Sequence, residues 1–253
     1  MIFLPVTDLV FVIGAVLGVV AVLYSSVGHG GASGYIAILA LFSLPPETIR
    51  PVALLLNVVV AGFATYRFSR AGLVDWKSVV PLVICSMPLA FLGGSVALPT
   101  DIYRPMLGGL LILSAVYLIW RTLKPVSAFE YVENRIPLSG SMAAGGSIGF
   151  VSGLSGIGGG VLLSPFFLIS GWAGARQTAG IAAVFILANS IAGLAGNIVA
   201  LETLPPYMLA WAGMVFVGSL VGTGLGVRLL PVKPLVWLLA AAILISGAKF
   251  ILL

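Results

Sequence analysis

Two glycine clusters, one in each half of the chain, constrain this sequence more than any other feature. Ser26-Val27-Gly28-His29-Gly30-Gly31-Ala32 near the start is answered by Ser152-Gly153-Leu154-Ser155-Gly156-Ile157-Gly158-Gly159-Gly160 past the middle. Each cluster follows an apolar run of helix length and precedes an apolar run too short to cross a bilayer. Consecutive glycines break a helix, because they lose the most backbone freedom when ordered. A break between a full helix and a half-length one, once per half, is the layout of a duplicated transporter with its binding site at the breaks.

Composition sets the solvent. The chain is 60% hydrophobic and 8% charged, with a mean hydropathy of +1.21, whereas a soluble domain carries about 25% charged residues. It lacks the charge to solvate a globular surface and reads as an all-α, polytopic membrane protein. The formal charge of +5 does not indicate nucleic acid. The 12 Lys and Arg are scattered through short loops, where basic residues orient spans, and no basic patch interleaved with aromatics appears. Cys85, the single cysteine, lies in the apolar run 79–92, which rules out an intrachain disulfide and a CxxC metal site. It reads as a small buried hydrophobe. The N-terminus has no basic leader region, so its apolar run is expected to be a retained first helix.

The full-length apolar runs are 8–27, 51–68, 78–98, 105–120, 138–155, 178–200, 207–229 and 235–253. Each can span a hydrocarbon core of roughly 30 Å. Two further runs, 34–44 and 161–170, reach only about 16 Å, half the bilayer. The most polar stretch, with Arg121, Lys124, Glu130, Glu133, Asn134 and Arg135, divides the chain. The expected organisation is a first membrane repeat over 1–120, a polar cytoplasmic linker over 121–137 and a second repeat over 138–253. If each helix and its half-helix partner make no net crossing, three spans follow per half and the second repeat is inverted. One face then receives Arg67, Arg70, Lys77, Arg121, Lys124, Arg135, Arg176, Arg228 and Lys233, and the other Arg50, Arg104 and Lys249. Nine against three marks the first face as cytoplasmic.

The candidate substrate-binding residues cluster at the breaks: Gly28, His29, Gly30, Gly31 and Ser33 in the first half, Ser155, Gly156, Gly158, Gly159 and Gly160 in the second. A half-helix starting just after such a break points unpaired N–H groups and the positive end of its dipole into the membrane interior. Two such ends facing each other form an anion site without a charged side chain in lipid. The alternative use of glycine, close helix packing, suits Gly145/Gly149/Gly153 and Gly218/Gly222/Gly226, whose spacing of four puts them on one face. Asn57 and Asn189 are the lone amides in their stretches of span and recur at matching places in Leu54-Leu55-Leu56-Asn57 and Ile186-Leu187-Ala188-Asn189. They are expected either to line the site as amide donors or to glue helices together. His29, the only histidine, is either a group that switches near neutral pH or a hydrogen-bonded structural residue. Arg50 and Arg176 either draw anions to the pore mouth or snorkel to the interface. No metal-site signature appears, and HExxH, paired intramembrane aspartates and a Walker loop are all missing. No enzyme activity, cofactor or metal is expected.

The run Gly153 to Gly160, its weaker twin at Gly28 to Gly34, Ala188-Asn189-Ser190 and Gly72-Leu73-Val74-Asp75-Trp76 resemble the TauE/SafE family, also called sulfite exporters, over essentially the whole chain. The resemblance implies a bacterial inner-membrane permease for small sulfur or organosulfur oxyanions such as sulfite or sulfoacetate, moving them by secondary transport. In the first half His29 and Ala32 interrupt the family's glycine run. The resulting expectation is a secondary transporter of two inverted repeats, working by alternating access at a midplane site. Its expected partners are a small anion, the lipid bilayer, a coupling proton or cation, and a second copy of the chain. An uncoupled anion channel and a non-transporting scaffold remain open alternatives.

Overall fold

The computed structural model describes residues 6–123, 136–228 and 233–252, and all regular structure there is helical. Ten α-helices follow in order: α1 Val6–Ser26, α2 Ala32–Leu41, α3 Pro46–Arg70, α4 Trp76–Ser95, α5 Thr100–Leu123, α6 Leu138–Ser155, α7 Gly160–Ile169, α8 Ala175–Gly196, α9 Met208–Arg228 and α10 Lys233–Leu252. A short 3-10 turn, Ile198–Thr203, follows α8. The half-length helices α2 and α7 are ten residues each, and both begin right after the glycine clusters. Most of the polar linker, residues 124–135, lies outside the described residues.

Sequence reading starts α3 at residue 51 and α5 at 105, each five residues late. Pro51 and Pro105 lie inside their helices, as do Pro81 in α4 and Pro165 in α7. A proline near the start of a helix reads as its first residue, but packed membrane helices tolerate it a turn further in. Among the described residues six helices are long and apolar enough to cross a membrane: α1, α3, α4, α5, α8 and α9. α6 has the length, but its 18 residues include five Ser and five Gly, which lower its hydropathy. Within the six, α8 and α3 are the most buried, at 72% and 61%, against 33% for α4. They form the central pair.

The directions of the helices follow from which residues meet. Gly18, Val22 and Ser26 of α1 meet Gly218, Gly222 and Gly226 of α9, so these two run parallel. Leu82, Ser86 and Ala90 of α4 meet Gly145, Gly149 and Gly153 of α6 in the same sense. In contrast, Leu54, Asn57 and Gly62 of α3 meet Gly193, Ser190 and Leu187 of α8, which is antiparallel. Gly108 and Ile112 of α5 likewise meet Ile251 and Gly247 of α10. α3 runs parallel to α9 through Phe63–Phe216 and Arg67–Leu220, and α8 runs parallel to α4, with Gly180 at Leu73 and Gly193 at Gly94. Each full helix therefore opposes its counterpart five helices on: α1 to α6, α3 to α8, α4 to α9 and α5 to α10. Since α1 and α3 both run with α9, the chain must double back between them, and α2 does so; α7 does the same between α6 and α8.

The halves interlock. α1 packs on α9 and α6 on α4, each the first helix of one half against the fourth of the other. Two apolar clusters fill the interior: α2 with α1, α5, α9, α10, the first part of α3, and Ile157 and Val161 at the start of α7; the rest of α7 with α4, α8 and the last part of α3. The small-residue rows on α6 and α9 are packing faces, because a Cβ at Gly149 would fall 2.6 Å from the Ser86 carbonyl oxygen. We expect Gly149→Leu to lower the melting temperature of the solubilised protein by roughly 5 °C or more. Gly109→Leu on the open face of α5, where a Cβ meets nothing within 4 Å, should leave it unchanged.

Candidate substrate site at the glycine breaks

Both breaks turn on glycines in the left-handed region. Gly31 precedes α2 at φ 102° and Gly159 precedes α7 at φ 81°, conformations that strain any L side chain. The two segments meet between the middles of α3 and α8. Gly30 and Gly158 each lie against the same two side chains, Asn57 and Ile186, in space that a Cβ would fill. Both breaks are buried along their whole length.

Asn57 joins the breaks. Fully buried, it accepts the Ala32 N–H at the start of α2 through Oδ1 (3.0 Å). Its Nδ2 faces the Ile157 carbonyl of the second break (3.4 Å) and Ser190 Oγ on α8 (3.3 Å). One amide thus serves an orphan helix donor and both central helices. His29 Nε2 lies 3.0 Å from the Gly160 carbonyl and its Nδ1 3.1 Å from that of Val27. Gly160 O, the first carbonyl of α7, is therefore a second tie between the breaks. Ser33 bonds Tyr24 Oη (2.7 Å) and Ser114 Oγ (3.0 Å), and Tyr35 donates to the Gly30 carbonyl (2.8 Å). Ser155 Oγ donates to Val151 O (2.7 Å) and accepts the Ile157 N–H (3.3 Å), while Tyr103 donates to the Ser155 carbonyl (3.1 Å).

Sequence alignment of the halves pairs Asn57 with Asn189, but the contacts pair it with Ile186. Gly28 abuts Ala179 as Gly156 abuts Arg50, and Gly30 and Gly158 share Asn57 and Ile186. Asn189 lies one turn further along α8. It is fully buried, and neither its Oδ1 nor its Nδ2 has a hydrogen-bond partner. A buried unpaired polar group costs about 1–3 kcal/mol. The hydroxyls of Ser152 and Ser164, beside and within α7, are also buried without partners.

The two arginines differ. Arg176 is exposed in the first turn of α8, whereas Arg50 is buried at 8%. Arg50 Nη2 donates to the carbonyls of Gly94 (2.8 Å), Gly153 (2.7 Å) and Gly93 (3.1 Å), and Nη1 reaches Val96 O (3.4 Å). It closes the C-terminal end of α4, where orphan carbonyls and the helix dipole welcome a cation, and ties it to α6. Sequence reasoning did not single out Tyr24, Tyr35, Tyr103, Ser114 or Ser190. The tyrosines flanking the first break carry a signal, a polar tip inside an apolar run. The serines carry little, because serine is ordinary in membrane helices.

A cavity of about 490 Å³ opens where α2 and α10 end and α3 and α5 begin, lined by Ser43, Glu47, Thr100, Arg104 and Lys249 among others. Lys249 Nζ is held by the Ala40 carbonyl (2.8 Å) and Ser43 Oγ (3.2 Å). The length of α2, about 15 Å, separates this cavity from the breaks. Among the described residues no group of three His, Cys, Asp or Glu side chains could hold a metal. Removing Asn57 and removing Asn189 should have opposite consequences. Asn57→Ala strips the Ala32 N–H of its acceptor and should destabilise by about 1–3 kcal/mol, read by thermal unfolding. Asn189→Leu replaces an unpaired amide with an apolar isostere and should be neutral or stabilising.

The chain matches relatives across nearly its full length. The family model for the sulfite exporter TauE/SafE covers residues 10–250. A relative from Sinorhizobium fredii, the probable membrane transporter protein y4hK, is 39% identical over 92% of this chain and 94% of its own. The probable membrane transporter protein MJ0441 of Methanocaldococcus jannaschii is 25% identical over 76% and 72%. MamO of Paramagnetospirillum magneticum, also a probable membrane transporter protein, is 27% identical over 88% of this chain and 41% of its own length. No solved structure matches. With both breaks, both asparagines and the membrane helices inside the matched range, the chain belongs to the sulfite exporter TauE/SafE family.

Proposed function

We propose that the protein is a secondary transporter of a small oxyanion, sulfite, sulfoacetate or another organosulfur anion, in a bacterial inner membrane. The observation that carries this reading is the meeting of two half-helix N-termini at Asn57, midway along the two most buried helices. Helix N-termini favour an anion through their unpaired N–H groups and dipole ends, and an oxyanion needs donors more than it needs a formal positive charge. Asn189, an amide without partners, supplies a donor one turn away. The family and the relatives, each described as a probable membrane transporter protein, support transport; the site chemistry supports the anion.

Alternating access follows from the helix directions. The opposed run of each matched helix supports inverted repeats, and inverted repeats supply two states of equal construction facing opposite sides. Because α1 packs on α9 and α4 on α6, the moving units are the two apolar clusters around α2 and α7, each drawn from both sequence halves. The buried breaks correspond to an occluded state. The cavity with Arg104 and Lys249 lies on the face that the Lys and Arg count makes external, as an anion-attracting mouth.

Uptake of labelled sulfite into proteoliposomes tests this, with the internal face loaded or not with unlabelled sulfite. A carrier gives saturable uptake that preloading accelerates, and Asn189→Leu loses most of it, at least tenfold, while remaining folded. Flux that is linear in concentration and indifferent to preloading identifies a channel. No flux above empty vesicles for sulfite, sulfoacetate, sulfate and thiosulfate overturns the oxyanion reading.

A further inference from the structure

We infer that His29 is the proton-binding site that couples a proton gradient to anion movement, through its contact with the Gly160 carbonyl across the two breaks. The inference rests on the transport reading above. The ring is 3% exposed, and each of its nitrogens faces a carbonyl oxygen, Val27 O at 3.1 Å and Gly160 O at 3.0 Å. Carbonyl oxygens only accept, and a neutral imidazole has one N–H to give. A neutral ring therefore satisfies one contact and sets a lone pair against an oxygen at the other. Only the doubly protonated ring donates to both.

The two contacts belong to different breaks. Val27 is two residues away on the same break, and its carbonyl travels with the ring. Gly160 opens α7, in the other half. When the two breaks separate, Nε2 loses the Gly160 carbonyl, and the second proton loses the acceptor that held it. Closing the breaks thus binds a proton and opening releases it. The chemistry is one N–H bond formed with a proton from water on one side and broken to water on the other. The imidazolium also places a positive charge beside the two helix N-termini, where it offsets the charge of a bound anion, so proton and anion move together.

The groups around the ring are few. Tyr24 of α1 lies edge-on at 6.3 Å and Tyr117 of α5 at 6.2 Å. Arg121, one turn beyond Tyr117 on α5, donates to its Oη (3.3 Å). Tyr35 of α2 is turned to Gly30 O, α3 contributes the neutral Asn57, and α7 contributes the backbone of Gly160. The described acidic residues, Asp8, Glu47, Asp75, Asp101 and Glu202, all lie at helix ends or in the 3-10 turn. No carboxylate shares the proton, so the Gly160 carbonyl is the element that changes between states.

His29 is the only histidine in the chain, which makes the test direct. Protein carrying ¹⁵N-histidine and a tag without histidine, in lipid nanodiscs, gives one imidazole spectrum between about pH 5 and 8. The expected result is a passage from doubly to singly protonated ring within that range, with a midpoint that moves when sulfoacetate is added. A single neutral tautomer throughout overturns the inference, whatever the flux. In proteoliposomes, one coupled proton makes the accumulation ratio of labelled sulfoacetate rise about tenfold per unit of inward pH gradient. His29→Gln keeps a donor toward Gly160 but cannot titrate. It should lose the tenfold dependence on the gradient. A variant that keeps that dependence overturns the inference. Loss of exchange in the wild type would instead strike the transport reading.

Discussion

Hydrocarbon offers no hydrogen bonds, so every peptide group that a mid-membrane break exposes must find a partner in the protein. Two breaks of four or five residues, buried together, would be ruinous without such partners. The structure supplies them from the side: Asn57 for the first N–H of α2, Tyr35 for Gly30 O, Tyr103 for Ser155 O and His29 for Gly160 O. Arg50 does the same for the ends of α4 and α6. These polar side chains lie in the interior because the breaks are there.

The same partners hold the two breaks together. Asn57 reaches across to Ile157 and Ser190, and His29 to Gly160, so each ties the first break to the second. Such ties must break and re-form if the units rock, whereas the glycine-lined contacts of α1 with α9 and of α4 with α6 are close enough to travel as rigid pairs. Interlocking the two sequence halves in this way means that neither folds into a separate body. It also means that small residues on α6 and α9 bring helices of opposite halves into close contact.

Much of this was legible in the sequence. The glycine clusters announced the breaks, and the ten-residue helices α2 and α7 begin where their pattern placed them, because consecutive glycines and a following apolar run leave little else to form. The rows Gly145/Gly149/Gly153 and Gly218/Gly222/Gly226 were readable as packing faces from their spacing, though not whom they pack against. That pairing is long-range and carries no periodic signal. Helix starts at Pro51 and Pro105 came out late because local propensity is overridden by tertiary packing. The correspondence of Asn57 with Asn189 slipped by one helical turn, since two amides in apolar runs look equivalent until their neighbours are seen. Arg50 could not be told from an interfacial arginine, because carbonyl acceptors leave no mark in a sequence.

The account stands or falls on where an anion binds. Selenite is a heavier relative of sulfite, and its anomalous scattering would locate it in crystals of this protein without prior assumption. The account predicts a peak between the two breaks, within hydrogen-bonding distance of the backbone at the starts of α2 and α7 and near the Asn189 amide. A peak confined to the mouth lined by Arg104 and Lys249, with the breaks empty at saturating selenite, would contradict it.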